Sequence, residues 1–449
     1  VSVDRLWRVL SSAMLALVCC CPALADDLME VHRKARERDP VLRAAGYALQ
    51  MARERVPQAR AGLLPVLSLV GASGGQDGHV SFGGEPYEQR NVRSWNWNLQ
   101  LTQPLWRASA WSALNLSEQE ERLARAQFNL AEQELTLRVC QAYFDVLVAQ
   151  EARRVAGLQV DAIGQQLALA RRNFEVGAAT VTDVHEAQSR LDLSRSQAVA
   201  ALNELENRRS ELERIIGEPV DGLAGLREDS RTPAPQPDNA QAWTESAREQ
   251  SLQVRIAEAA WSVAARELDK SRAAHAPTLD LTAGYGSNYA SGSISSPAHI
   301  AVRSRSGQIG INFSLPLYAG GAVQARVREA VAAQGRAAEE VESARRHAAA
   351  SARQAYAGVV NGHAQIEALE SAIRSSRSAL EANRIGYRIG TRINIDVLNA
   401  QQQLYAAERE WHKARADTLM QGLRLKAANA TLDQADLPAI NHLLEKAQP

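Results

Sequence analysis

Between Arg93 and Phe174 the hydrophobic period changes once, from two residues to about 3.6, and no proline follows Pro104. The opening segment, Arg93 to Thr102, sets Trp95, Trp97, Leu99 and Leu101 on one face of a strand. Ser94, Asn96, Asn98, Gln100 and Thr102 take the other face. Gln103-Pro104 ends the strand on this reading, and a helix runs from about Leu105 to Phe174. Nearly 70 residues at 1.5 Å each make a rod of roughly 100 Å. No ordinary globular core needs a helix of that length.

Residues 1–25 have the form of a signal peptide. Arg5 and Arg8 precede an apolar run, Ala13 to Cys21, and Ala23-Leu24-Ala25 offers the small residues of a cleavage site. The run is too short to span a bilayer. Cleavage after Ala25 removes Cys19, Cys20 and Cys21; a lipid-anchored cysteine is the competing reading, disfavoured by Val18 and the neighbouring cysteines. Cys140 then remains alone, which excludes an intramolecular disulfide in an oxidising compartment. The formal net charge is +0, so nothing points to nucleic acid as a partner.

The rest of the chain repeats this motif. A helix over Leu28–Ala61 leads to a strand over Val66–Gly75, a Gly-rich loop to Arg90, the tryptophan strand and the long helix. After a turn at Phe174–Thr180, Thr182 or Asp183 caps a helix that runs to Ile216. A proline-rich stretch follows, and then the same order: a helix over Ala240–Ala274, strands over Thr278–Tyr289 and Gly307–Leu315, a helix over Ala322–Tyr387, a turn, and a helix over Asp396–Ala430. A shift of about 212 residues lays Pro65 on Pro277 and Pro104 on Pro316; one residue more lays Gly177 on Gly390 and Asp183-Val184 on Asp396-Val397. The chain therefore reads as a tandem duplication: 26–218, a linker over 219–239 in an equatorial region, 240–432, and a tail over 433–449.

Four strands cannot close a barrel alone, and open edges are not tolerated in lipid. Two chains would give eight strands, with an interior filled by side chains; three would give twelve and an aqueous lumen. The expected fold is therefore mixed: four amphipathic strands and very long helices per chain, which on trimerising could close a 12-stranded β-barrel and build a hollow α-helical barrel. Trp95, Trp97, Leu99, Leu101, Tyr285, Ile309, Ile311 and Phe313 form the lipid face, while Asn96, Asn98, Gln100, Gln308 and Asn312 suit a wet interior. A periplasmic coiled-coil scaffold is the alternative, but it leaves the amphipathic strands without a purpose. An enzyme is disfavoured because no phosphate-binding loop is present and the histidines are scattered. Neither a cofactor nor a metal is expected.

Pro65 and Pro277 at strand entries, the Gln103-Pro104-Leu105 and Leu315-Pro316-Leu317 exits, and the two turns carry a resemblance. The first turn is Phe174-x-x-Gly177 followed by Thr182-Asp183-Val184; the second is Tyr387-x-x-Gly390-Thr391-Arg392 followed by Asp396-Val397-Leu398-Asn399-Ala400-Gln401. On these the chain resembles the TolC family of outer-membrane efflux and secretion channels over nearly its whole mature length. The resemblance implies a homotrimer integral to the bacterial outer membrane and extending across the periplasm. It implies a periplasmic adaptor and an inner-membrane ABC exporter or proton-driven pump as partners. It also implies a periplasmic gate at Tyr387, Arg392, Asp396 and Asp183, and adaptor docking at Gly177, Thr180, Gly390 and Thr391. The family's best-studied pattern has a second mouth aspartate one turn after the first; Asn399 stands there in this chain, so the resemblance implies a neutral ring and weaker block by multivalent cations.

Overall fold

A computed structural model describes residues 26–220, 222–227, 229–433 and 435–444, so the signal-peptide reading of 1–25 lies outside the described residues. The elements are α1 (Leu28–Arg38), α2 (Pro40–Ala61), β1 (Val66–Val80), β2 (Glu88–Arg107), α3 (Ala108–Glu175) and α4 (Val181–Ile216), followed by α5 (Ala240–Gln250), α6 (Leu252–Ala273), β3 (Thr278–Ala290), β4 (Val302–Ser314), α7 (Ala322–Arg388), α8 (Asn394–Ala428) and the short α9 (Asp436–Asn441). Helix, helix, strand, strand, long helix, helix thus occurs twice in succession. The chain divides into a strand unit (46–127 and 255–343) and a helical unit made of the remaining described residues.

The strand unit is built on one antiparallel sheet in the order β1-β2-β3-β4. The register puts Leu69, Leu99, Tyr285 and Gly307 in one cross-strand row, and Leu67, Leu101, Ala283 and Ile309 in the next. All eight residues read as lipid-facing therefore share one face. Ser68, Gln100, Gly284 and Gln308 form a row of the opposite face. Trp95 stacks on Tyr289, with ring centroids 5.9 Å apart. β1 and β4 are both edges, without a partner on their outer sides among the described residues.

The strands are longer than the sequence pattern indicates. β1 continues through Gly74, Gly75 and Gly78, each paired with β2, so the expected loop over 74–90 shrinks to residues 81–87. Pairing with a neighbouring strand satisfies the backbone there and overrides the poor strand propensity of glycine. β4 likewise begins at Val302 rather than Gly307. Pro104 does not stop β2: the register shifts between Pro104 and Trp106, and the strand runs on to Arg107. A bulge is where a strand accommodates proline. The extra residue also brings Trp106 opposite Leu279, onto the apolar face.

In the helical unit α1, α3, α4, α8 and α9 enclose one apolar core, with Leu28, Val31, Tyr143, Phe144, Leu212, Ile216, Leu419 and Leu437 among its buried members. The stretch read as a linker contributes Val220, Leu223 and Ala224 to this core. Tyr143 donates its hydroxyl to the Ala224 carbonyl at 2.7 Å, and burial raises its pKa. Single bridges tie Asp26 to Leu223 and Leu226 to Leu444. Arg415, buried and lying 4.5 Å from the Trp411 ring, donates to the Ser230 hydroxyl and carbonyl.

Two helices expected as continuous are broken. Leu28–Ala61 divides at Asp39-Pro40, where proline opens a new helix and the Asp39 carboxylate accepts from the Leu42 N–H at 2.7 Å. Ala240–Ala274 divides at Ser251, whose backbone leaves the helical region at φ −51° and ψ 137°.

Candidate functional site

The two turns of the helical unit, α3–α4 and α7–α8, are built alike. Gly177 and Gly390 hold φ of 76° and 77°, the left-handed region in which a Cβ is strained. Each reversal has a bond of the Schellman type: Ala178 N–H to the Asn173 carbonyl at 2.7 Å, and Thr391 N–H to the Gly386 carbonyl at 2.9 Å. The Thr391 hydroxyl also donates to the Gly386 carbonyl at 3.2 Å.

The helices leaving the turns differ. Thr180, rather than Thr182 or Asp183, is the N-cap of α4, and Asp183 completes a capping box. The Asp183 carboxylate accepts from the Thr180 hydroxyl at 2.8 Å and from its N–H at 3.0 Å. Helix α8 starts at Asn394, two residues ahead of Asp396, and its cap position, Ile393, has no side-chain acceptor. Arg392 reaches Asp396 at 3.7 Å, in an exposed i,i+4 pair. Tyr387 accepts from Asn173 at 3.3 Å. Among the described residues no hydrogen bond or ion pair joins Asp183 to Arg392 or Tyr387. The expected gate residues thus form three separate contacts within one chain.

The two hairpins are joined by a residue that sequence reading passed over. Asn394 is fully buried; it accepts from Gln166 at 2.6 Å and donates to the Asp183 carbonyl at 3.2 Å. Arg190, on α4, donates to Asn399 at 3.1 Å and to Gln402 at 2.9 Å. Beneath them Ile163, Leu167, Ala187, Leu191 and Leu398 pack together, as do Leu380, Val397, Ala400 and Leu404. The signal for Asn394 in the sequence is a polar residue at the start of an amphipathic stripe, two positions ahead of Asp396.

The strand unit offers a second polar constellation. Arg90, on the polar face and only 6% exposed, donates to the carbonyls of Ser293 at 3.1 Å, Ser296 at 2.6 Å and Pro297 at 3.0 Å, and pairs with Glu88 at 3.0 Å. The loop 291–301 is thereby held against the β1–β2 hairpin. Arg107 pairs with Asp280 at 2.7 Å on the same face. No group of three or more His, Cys, Asp or Glu that could hold a metal occurs among the described residues. Burial pushes the Cys140 thiol up to about 12, which leaves it protonated and unreactive.

The sequence profile of the family described as Outer membrane efflux protein matches residues 31–218 and 243–431. The chain belongs to this family. It is 34% identical to outer membrane protein TolC of Escherichia coli (strain K12) over 429 residues, which covers 94% of this chain and 86% of that protein. It is 31% identical to the alkaline protease secretion protein AprF of Pseudomonas aeruginosa, covering 93% of this chain and 87% of that protein. Among solved structures, CusC superposes with a TM-score of 0.77 at 19% identity, covering 90% of this chain and 91% of the other. The four-stranded sheet and the long helices are those of this outer membrane efflux fold. No described helix is long and apolar enough to cross a membrane, which says nothing of a barrel.

Proposed function

We propose that the protein is the outer-membrane exit duct of a tripartite export machine, passively conducting proteins in type I secretion, or small molecules, out of the cell. One observation supports this reading above the others: the sheet segregates an apolar face from a polar one and leaves both edges open. With four strands per chain, β4 runs opposite to β1, so β4 of one copy can pair antiparallel with β1 of the next. Three copies then close a barrel of twelve strands, polar inside and apolar outside, with no edge left in lipid. The helical unit of each copy forms a third of a periplasmic tunnel, and 26–218 and 240–432 act as its two structural repeats, joined through the equatorial linker 219–239. The turns bearing Gly177, Thr180, Gly390 and Thr391 receive the periplasmic adaptor, which connects the duct to an inner-membrane transporter. Tyr387, Arg392, Asp396 and Asp183 close the resting mouth. The duct performs no chemistry; the partner transporter supplies the energy.

Mass measurement in detergent tests the reading, with a trimer recovered from outer-membrane fractions as the expected result. A monomer, or recovery from the soluble periplasm, would overturn it and favour a scaffold. Protein cargo is favoured by the similarity to AprF, a protease secretion protein. Deleting the gene and assaying culture supernatants for a missing secreted protein tests that preference.

A further inference from the structure

We infer that Arg93, Arg303 and Arg305 form a binding site on the outward face of the sheet for the phosphates of the glycolipid that fills the outer leaflet. The inference rests on the proposed function, in which the apolar face meets lipid and the hairpin loops lie outside the cell.

The register fixes the three arginines on that face. Arg305 lies in the row of Trp97 and Ser287, and Arg303 in the row of Trp95 and Tyr289. Arg93 is opposite Gly75, one row nearer the loops. Rows on one face are about 7 Å apart and neighbouring strands about 4.8 Å. Arg303 and Arg305 are thus one row apart, and Arg93 is two strands and one row from Arg303, a separation of about 12 Å. Long flexible side chains at that spacing can converge on one phosphate or span two. The Arg303 guanidinium lies 5.8 Å from the Trp95 ring centroid and 5.5 Å from that of Tyr289, which holds it at the border of the aromatic band.

The two faces treat charge differently. On the polar face the strand charges pair off, Arg90 with Glu88 and Arg107 with Asp280. On the outward face, among the described residues, none of the three arginines is in an ion pair, and the one acid, Asp77, is engaged by Gln89 at 3.4 Å. A guanidinium on a lipid-facing wall needs an anion that the protein does not supply, and headgroup phosphates are the anions at that depth. Ordinary snorkelling would place cations at both borders of the apolar band. Here the opposite border of the same face, with Leu67, Leu101, Gln103, Trp106, Leu279 and Phe313, carries none. That asymmetry singles out one leaflet, the one whose lipid carries phosphate on a saccharide.

The test compares the full-length trimer with its Arg93→Gln/Arg303→Gln/Arg305→Gln variant. Both are reconstituted in phosphatidylcholine vesicles containing purified lipopolysaccharide and re-extracted, and the retained lipid is weighed by native mass spectrometry. The wild type should retain lipopolysaccharide and the variant should lose about 100-fold of that affinity, on a scale set by three arginines near a charged surface. Dephosphorylated lipopolysaccharide should be retained by neither. Equal retention by variant and wild type, undiminished retention after dephosphorylation, or equal retention of phosphatidylglycerol would each overturn the site. Trimer mass and channel conductance, read on the same samples, separate the outcomes. If both are intact and retention is unchanged, only the lipid site fails; if no trimer or channel forms, the duct reading fails first.

Discussion

Two arginines, one in each unit, show opposite ways of using the same side chain. Arg90 is 6% exposed and divides its donors among three carbonyls and a carboxylate, across more than 200 residues of sequence. Arg392 has a side chain 60% exposed and reaches one acid four residues away at 3.7 Å. A buried guanidinium is expensive to release, because its own charged donors would be left unpaired away from water. An exposed pair is worth about 0–1 kcal/mol. The strand loop is therefore costly to release, whereas the Arg392–Asp396 pair is cheap to break.

The largest effect expected from this contrast belongs to the turn backbone. A side chain in the left-handed region costs about 1–2 kcal/mol, more if it is β-branched. Gly177→Val or Gly390→Val should therefore distort the reversal and abolish export, while the trimer survives in detergent. Trimer loss alongside export loss would show that the turns support assembly rather than docking. Next comes Arg90→Ala, which should free the loop 291–301 and make it a protease cleavage site on intact cells, with little change elsewhere. A loop that stays resistant would place its restraint in other contacts.

Asn394→Ala is a third and smaller break. It strands the Gln166 amide and removes the extra bond to the Asp183 carbonyl, at about 1–3 kcal/mol per chain. On the proposed function, conductance in planar bilayers should rise because the two hairpins lose a fully buried polar tie. Asn394→Asp should recover part of the contact to Gln166, and failure to do so would assign the effect to packing.

Much of this was legible in the residues. Alternation sorted the strand residues into the two sets that the register places on opposite faces, because a strand period of two survives whatever it pairs with. Strand length was not legible: the ends of β1 and β4 are held by cross-strand pairing, which leaves no mark on the glycines and serines themselves. Pro104 reads as a stop in isolation and becomes a bulge only because β3 lies alongside. At the turns, Gly177 and Gly390 were readable from local backbone demands, whereas Asn394 and Arg190 act across hairpins far apart in sequence. Arg90 escaped notice for the same reason, since its acceptors are backbone carbonyls that any residue could provide.

The smallest expected change in stability tests the other half of the contrast. Within one chain Tyr387 contacts Asn173, and Arg392 contacts Asp396 through an exposed pair. Arg392→Ser combined with Tyr387→Phe should therefore leave trimer melting almost unmoved, by no more than the roughly 0–1 kcal/mol of exposed pairs. On the proposed gate, the same double variant should raise single-channel conductance, because a mouth held by a few weak contacts in three copies needs few of them removed. Asp396→Ala isolates the electrostatic part. Three copies of an acid around a narrow opening concentrate cations. Asn399, three residues on from Asp396, is neutral and accepts from the Arg190 guanidinium at 3.1 Å. That neutral residue and its cationic neighbour leave Asp396 as the main attraction, so its removal should abolish most of the block by divalent cations rather than half. Asn399→Asp should strengthen that block, though less than an isolated acid would, since Arg190 is placed to pair with it. Unchanged conductance in the double variant, with unchanged block in both single variants, would move the gate away from this turn and leave Arg392 and Asp396 as a solvated pair at a helix start.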